Sequence, residues 1–175
     1  IRNLVLGRYK LSFGQGLVIN NTLSFGKYAT LSTLGRQTNG IRVYSSRSSI
    51  NYLQGAAATI ELAHNLDLTT FLSYRTIDAT LTSNGDIKTI LNTGYHRTAK
   101  EMERKDNASQ FTTGGNLNWR CGRLTLGLTA LFTHFDKALN PNTDLYYRRY
   151  APSGNDFWNV GINYSYVRKR WSLAG

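Results

Sequence analysis

Every second residue between positions 124 and 132 is apolar. Leu124, Leu126, Leu128, Ala130 and Phe132 alternate with Thr125, Gly127, Thr129, Leu131 and Thr133. A period of two predicts a strand with one oily face and one small, mostly hydroxylic face. The pattern recurs along the chain. Val5, Gly7, Tyr9, Leu11 and Phe13 alternate with Leu6, Arg8, Lys10 and Ser12. Ala56, Ala58, Ile60 and Leu62 alternate with Ala57, Thr59 and Glu61, and Leu66, Leu68, Thr70, Leu72 and Tyr74 with Asp67, Thr69, Phe71 and Ser73. Further on, Phe111, Thr113, Gly115, Leu117 and Trp119 oppose Gln110, Thr112, Gly114, Asn116 and Asn118. Trp158, Val160, Ile162, Tyr164 and Tyr166 oppose Asn159, Gly161, Asn163 and Ser165. The phase slips after Tyr74, where Ile77, Ala79 and Leu81 become the apolar set. Such a slip predicts a bulge or an exit from the two-sided environment. About six strands result, with the start of another at "WSLAG".

The connections alternate in length. Tight turns near Asn65, Gly122 and Lys169 alternate with long segments at 26–49, 83–108 and 136–156. An antiparallel meander places every second connection at the same end, so one end carries the turns and the other the loops. This predicts an all-β, antiparallel meander forming part of a transmembrane outer-membrane β-barrel, with short periplasmic turns and long extracellular loops. The oily faces 66–74, 111–119, 124–132 and 158–166 each advance eight residues. At roughly 3.3 Å per residue and a tilt of about 40°, eight steps cover on the order of 20 Å, close to a lipid-facing band of about 25 Å.

Three sets of side chains follow from that reading. Leu68, Leu72, Leu117, Leu126, Leu128, Val160 and Ile162 are expected to face lipid. Tyr74, Phe111, Trp119, Phe132, Trp158, Tyr166 and Trp171 are expected at the aromatic girdles. Arg8, Lys10, Thr59, Glu61, Thr69, Arg75, Asn116, Asn118, Thr129 and Asn163 are expected to line the lumen, where small hydrogen-bonding groups suit a crowded, wet interior.

Composition narrows the class. The 175 residues contain two prolines, sixteen glycines and eleven tyrosines, and no Pro-rich or Ser-rich linker divides them. Residues 1–175 are therefore expected to form a single β-barrel segment. A mean hydropathy of −0.37, with no apolar run of the roughly 18 to 20 residues that a spanning helix needs, excludes a helical membrane protein. It leaves spanning strands open. The first residue is Ile1 and the last five read as a strand opening, so a mature segment or a fragment of a larger barrel is expected. The formal charge of +11 points to anionic neighbours such as lipopolysaccharide. The basic residues are spread over all loops and turns, which makes a nucleic-acid groove unlikely for this segment.

Candidate chemistry is sparse. "SFGQGL" at 12–17 lacks the Lys-Ser/Thr ending and the helix of a phosphate loop, so a close backbone approach or bulge inside the wall is expected instead. Phe25-Gly26 repeats the Phe-Gly pair. His64, His96 and His134 share no metal-ligand spacing, and Cys121, the single cysteine, is expected as a small residue at a turn. Thr98, Ala99, Lys100 and Glu101 form a capping box that predicts a short helix in "TAKEMERKD". Ser12, His134 and Asp136 form a triad only on paper. No catalytic residue, metal or cofactor is expected, and the chain does not read as an enzyme.

The segments "YKLSFGQGLVINNTLSFGK", "GAAATIEL", "LDLTTFLSYRTIDATL", "TGYHRTAKEME" and "LTLGLTALFTHFDKALNP" resemble the barrel portion of large Bacteroidota-type outer-membrane proteins that carry an amino-terminal helix-hairpin-helix module. The resemblance covers most of the chain in matching order. It implies a transmembrane barrel longer than this segment, placed in the bacterial outer membrane by a signal peptide. The module itself, which grips DNA backbone in other proteins, has no counterpart in these residues. The expected function is that of a pore or of a structural component of an envelope complex. Membrane lipid, lipopolysaccharide and other outer-membrane or periplasmic proteins are the expected partners. Two alternatives stay open: a soluble β-barrel that binds an apolar ligand, and a DNA-uptake component acting through the missing module.

Overall fold

The computed structural model describes residues 1–20, 40–45, 52–143 and 146–175. The strands are β1 (Asn3–Ser12), β2 (Gly40–Val43), β3 (Leu53–Ala63), β4 (Leu66–Ile77), β5 (Ala79–Leu81), β6 (Ile87–Ile90), β7 (Ala108–Cys121), β8 (Leu124–Leu139), β9 (Gly154–Arg168) and β10 (Trp171–Ala174). A single helical turn, α1 (Ala99–Met102), and a 3-10 turn (Tyr146–Arg148) lie between them. The sheet runs in the order β10-β9-β8-β7-β4-β3-β1-β2 and curls into an open half-barrel. All pairs on this path are antiparallel; one parallel bridge, Ile87 to Leu139, ties β6 to β8.

Turn chemistry explains the tight end. Two-residue loops close β3–β4 at His64-Asn65, β7–β8 at Gly122-Arg123 and β9–β10 at Lys169-Arg170. Gly122 and Lys169 adopt positive φ, 58° and 49°, the backbone state that hairpins of this length need. These turns lie at one end, and the connections from β4 to β7 and from β8 to β9 at the other; most of the expected long segment 26–49 lies outside the described residues.

The registers place the alternating positions in rows. Ile60, Leu68, Leu117, Leu128 and Ile162 are consecutive partners on one face, and Thr59, Thr69, Asn116, Thr129 and Gly161 on the opposite one. We call the second face inner, because residues 13–20 fold back across it. Phe13 packs on Phe71 at 6.4 Å between ring centroids, and Ile19 joins a buried cluster with Val5, Tyr9, Leu11, Leu53 and Leu131.

That cluster corrects one expectation. Val5, Tyr9 and Leu11 are buried on the inner face, whereas Leu4, Leu6 and Arg8 stand in the opposite phase and are exposed. Arg8 and Lys10 are thus out of phase with the inner-face set to which they were expected to belong. The reason is local: where Phe13 and Ile19 cover the wall, the inner positions of β1 must be apolar to fill the space. Both phases of β1 carry apolar residues, so the alternation alone did not fix its facing.

The phase slip after Tyr74 marks an exit. β4 ends at Ile77 and the chain leaves for the β5–β6 hairpin, which pairs Ala79 with Ile90. Ile77, Ala79, Ile87, Ala108 and Phe135 form a second buried cluster there. The Asn107 side chain clamps Ala79, accepting from its N–H at 3.0 Å and donating to its carbonyl at 2.8 Å. β2, β5 and β6 were not foreseen, and β8 runs beyond the expected oily stretch to Leu139. Among the described residues no helix is long and apolar enough to cross a membrane, which says nothing of crossing by strands.

Candidate functional site on the inner face

The inner face is polar in the way its residue types dictate. Several hydroxyls and amides that point off neighbouring strands meet across the register as hydrogen-bond partners. Thr59 and Thr69 share a hydrogen bond of 3.0 Å between their Oγ1 atoms. Asn116 Nδ2 donates to Thr129 Oγ1 at 2.8 Å. Gln110 Nε2 donates to Thr112 Oγ1 at 3.1 Å, and Thr112 Oγ1 lies 3.5 Å from Thr133 Oγ1. Arg75 Nε donates to Gln110 Oε1 at 3.3 Å. Of the expected inner residues, Thr69, Asn116, Asn118, Thr129 and Asn163 are buried there, and Thr59 and Arg75 are half-buried. Glu61 shares their phase but sits exposed near the turn end, 3.6 Å from Arg2.

Glycines make room for the crossing segment. Gly14 and Gly16 adopt φ of 56° and 80°, which few other residues tolerate. A Cβ on Gly14 would fall 2.5 Å from Asn163 Cγ, and one on Gly127 only 2.3 Å from Asn163 Oδ1. Asn163 is thereby wedged between the segment and the wall. The expectation of a close backbone approach at "SFGQGL" describes this contact. The second Phe-Gly pair, Phe25-Gly26, lies outside the described residues.

The opposite, outer face carries the apolar set. Leu72, Leu128, Val160 and Ile162 are exposed, Ile162 to 73% and Val160 to 68%, while Leu68, Leu117 and Leu126 are half-covered by their neighbours. Among the aromatics Trp158 is 73% exposed and lies against Phe132, 4.4 Å between ring centroids. Trp119, Tyr166 and Trp171 stand near the turn end, Tyr74 and Phe111 near the loop end, all exposed or half-exposed.

Two charged clusters complete the picture. At the turn end Asp67 accepts from Arg2 Nη1 at 2.9 Å and from Arg120 Nη2 at 2.6 Å. At the loop end Lys10 lies 4.7 Å above the Tyr44 ring and Arg8 4.7 Å above that of Tyr52. The two tyrosines stack at 5.4 Å, and Arg75 approaches Tyr52 at 5.5 Å. Sequence reasoning missed this stack, because Tyr44 and Tyr52 sit outside any alternating run.

The remaining candidates disperse. His134 pairs with Asp156 at 2.6 Å, and Asp136 instead accepts the Ser109 amide at 2.8 Å, so the paper triad does not assemble. His96 pairs with Asp78 at 2.7 Å. Cys121 is exposed at the end of β7. Among the described residues no three His, Cys, Asp or Glu side chains are grouped to hold a metal ion. The capping box forms: Glu101 accepts the amides of Arg97 and Thr98, Thr98 Oγ1 accepts that of Glu101, and the helix covers only Ala99–Met102. The amide donors hold the Glu101 carboxyl below the ordinary glutamate range.

Compared with family models, curated proteins and solved structures, the chain gives no match. Its functional reading therefore rests on the two faces of the sheet.

Proposed function

We propose that the chain forms a wall segment of a bacterial outer-membrane β-barrel, serving as a pore or as a structural component of an envelope complex. One observation carries the reading. The sheet buries threonine and asparagine on its inner face and leaves leucine, isoleucine, valine and tryptophan uncovered on its outer face. In water that arrangement is inverted, since contiguous apolar patches beyond a few hundred Å² are uncommon on soluble monomers. In a bilayer it is the expected one: tails solvate the outer positions, and the inner hydroxyls and amides meet water or one another. Tight turns at one end and long connections at the other agree with it.

On this reading the basic loops contact the phosphates of lipopolysaccharide, where charge attraction is strongest. Extraction tests it. The protein is expected to stay with membranes through carbonate and high-salt washes and to leave only in detergent. Release by carbonate alone would sink the reading and favour a soluble barrel that holds an apolar ligand. Planar-bilayer recording then separates the two roles: stepwise conductance supports the pore, and its absence in correctly inserted protein supports the structural component.

A further inference from the structure

Arg75 is a cation on the inner wall that pairs with no anion among the described residues. Nε donates to Gln110 Oε1 and Nη1 to the Tyr52 carbonyl, the latter at 3.1 Å. No carboxylate among the described residues forms an ion pair with it. Asp78 borders the neighbouring cavity but is already engaged, Oδ2 with His96 and Oδ1 with the Asp106 amide. A guanidinium offers five N–H donors, and those not spent on Gln110 and Tyr52 have no acceptor among the described residues. A charge withdrawn from water without a partner is costly, so such a position favours an anion that supplies the missing acceptors.

The space for one is present. A cavity of about 370 Å³ lies between the crossing segment, at Val18 and Ile19, and the wall, at Arg75, Gln110, Thr112 and Thr133. The hydrogen-bond chain orients that wall. Because Gln110 accepts from Arg75, its amide nitrogen must turn to Thr112, which leaves hydroxyls and guanidinium facing the cavity. Tyr52 and Arg75 both line it, and the Tyr52 ring also carries Arg8 at 4.7 Å.

We propose that this cavity binds a small solute through its carboxylate or phosphate group, with Arg75 forking the oxyanion and whichever of the paired Thr112 and Thr133 hydroxyls does not donate to the other adding one donor. The planar fork matches both groups. The volume sits at the low end of ligand pockets, room for a bare oxyanion or a small organic acid. The site goes beyond the membrane reading and does not depend on it, since it needs only the wall, the crossing segment and Arg75.

Calorimetric titration of the purified full chain in detergent, with inorganic phosphate and with acetate at constant ionic strength, tests the site. Saturable binding of at least one anion is expected, weakened at least about tenfold by Arg75→Gln and unchanged by Arg97→Gln in the outer loop. Thr133→Leu leaves Arg75 in place and fills the cavity from β8, so it is expected to weaken binding as well and decides the matter if Arg75→Gln fails to fold. Saturation by neither anion, or wild-type affinity in a folded Arg75→Gln or Thr133→Leu protein, overturns the proposal.

Discussion

A Val18 methyl occupies the place where a side chain on Gly161 would begin: a Cβ added to Gly161 falls 2.4 Å from Val18 Cγ2. The crossing segment and β9 therefore fit by a missing side chain. Gly161→Ala is expected to destabilise the protein by about 1 to 3 kcal/mol through overpacking. Because the clashing atom is the end of a side chain, Val18→Ala should relieve most of that cost. Urea unfolding of the two single variants and the double variant gives the coupling; additive effects would show that the two residues do not touch.

The contact also shows what the chain disclosed in advance. Strands β3, β4, β7, β8 and β9 were legible because each alternates over many residues and has one partner across a two-residue turn. The tight turns were legible from Asn65, Gly122 and Lys169, and the inner set from Thr69, Asn116, Thr129 and Asn163. β1 was misread in its facing because Leu4 and Leu6 are as oily as Val5 and Leu11, and only the long-range cover by Phe13 and Ile19 decides between them. β2, β5 and β6 were invisible because three- and four-residue strands are too short to establish a period. Arg75 was identified as an inner residue, but the stack of Tyr44 on Tyr52 that brings Arg8 beside it joins parts of the chain with no shared pattern.

Tyr9 is the inner residue of β1 that ties β1 to β3 and β4. Its buried hydroxyl donates to the Leu72 carbonyl at 2.8 Å and stands 3.3 Å from that of Ala56. Tyr9→Phe keeps the ring and removes only that donor, so a loss of about 1 kcal/mol is expected. Gly55, between the same strands, tolerates less: an added Cβ would lie 2.2 Å from the Leu72 carbonyl oxygen. Backbone cannot step aside as a methyl can. Gly55→Ala is thus expected to cost more than Gly161→Ala, with no rescue by truncating a side chain, and chemical denaturation of the pair ranks them.

The loop helix has its own pH dependence. Glu101 accepts the amides of Arg97 and Thr98 only while ionised at full strength, which lowers its folded-state pKa. A depressed carboxyl pKa means stabilisation that is complete above the unfolded value of about 4.3 and is lost as pH falls through the lower folded value. The Ala99–Met102 turn is therefore expected to hold at neutral pH and to fray in acid, below the range in which an ordinary glutamate titrates. Carboxyl carbon NMR reads this directly. Glu101 should titrate below the ordinary glutamate range, and Thr98→Ala, which removes the other half of the box, should move its midpoint back toward the ordinary value; a wild-type midpoint at the ordinary value would contradict it.

Ile162 and Leu173 separate a bilayer from water as the medium of the outer face. Ile162 lies in the middle row with Leu128, and Leu173 pairs with Tyr166 beside the Lys169 turn; both are exposed. In water, an arginine at either exposed site would change stability by no more than about 0.5 kcal/mol. In a bilayer the cost depends on depth, about 2 to 4 kcal/mol at the midplane and roughly 0 to 1 near the interface. Ile162→Arg is therefore expected to cost several times what Leu173→Arg costs when unfolding is followed in lipid vesicles. Neighbouring Asn163 faces inward and does not report on lipid. Equal, small effects at the two positions would place water against the leucine and isoleucine rows, and the outer-membrane reading would fall with them.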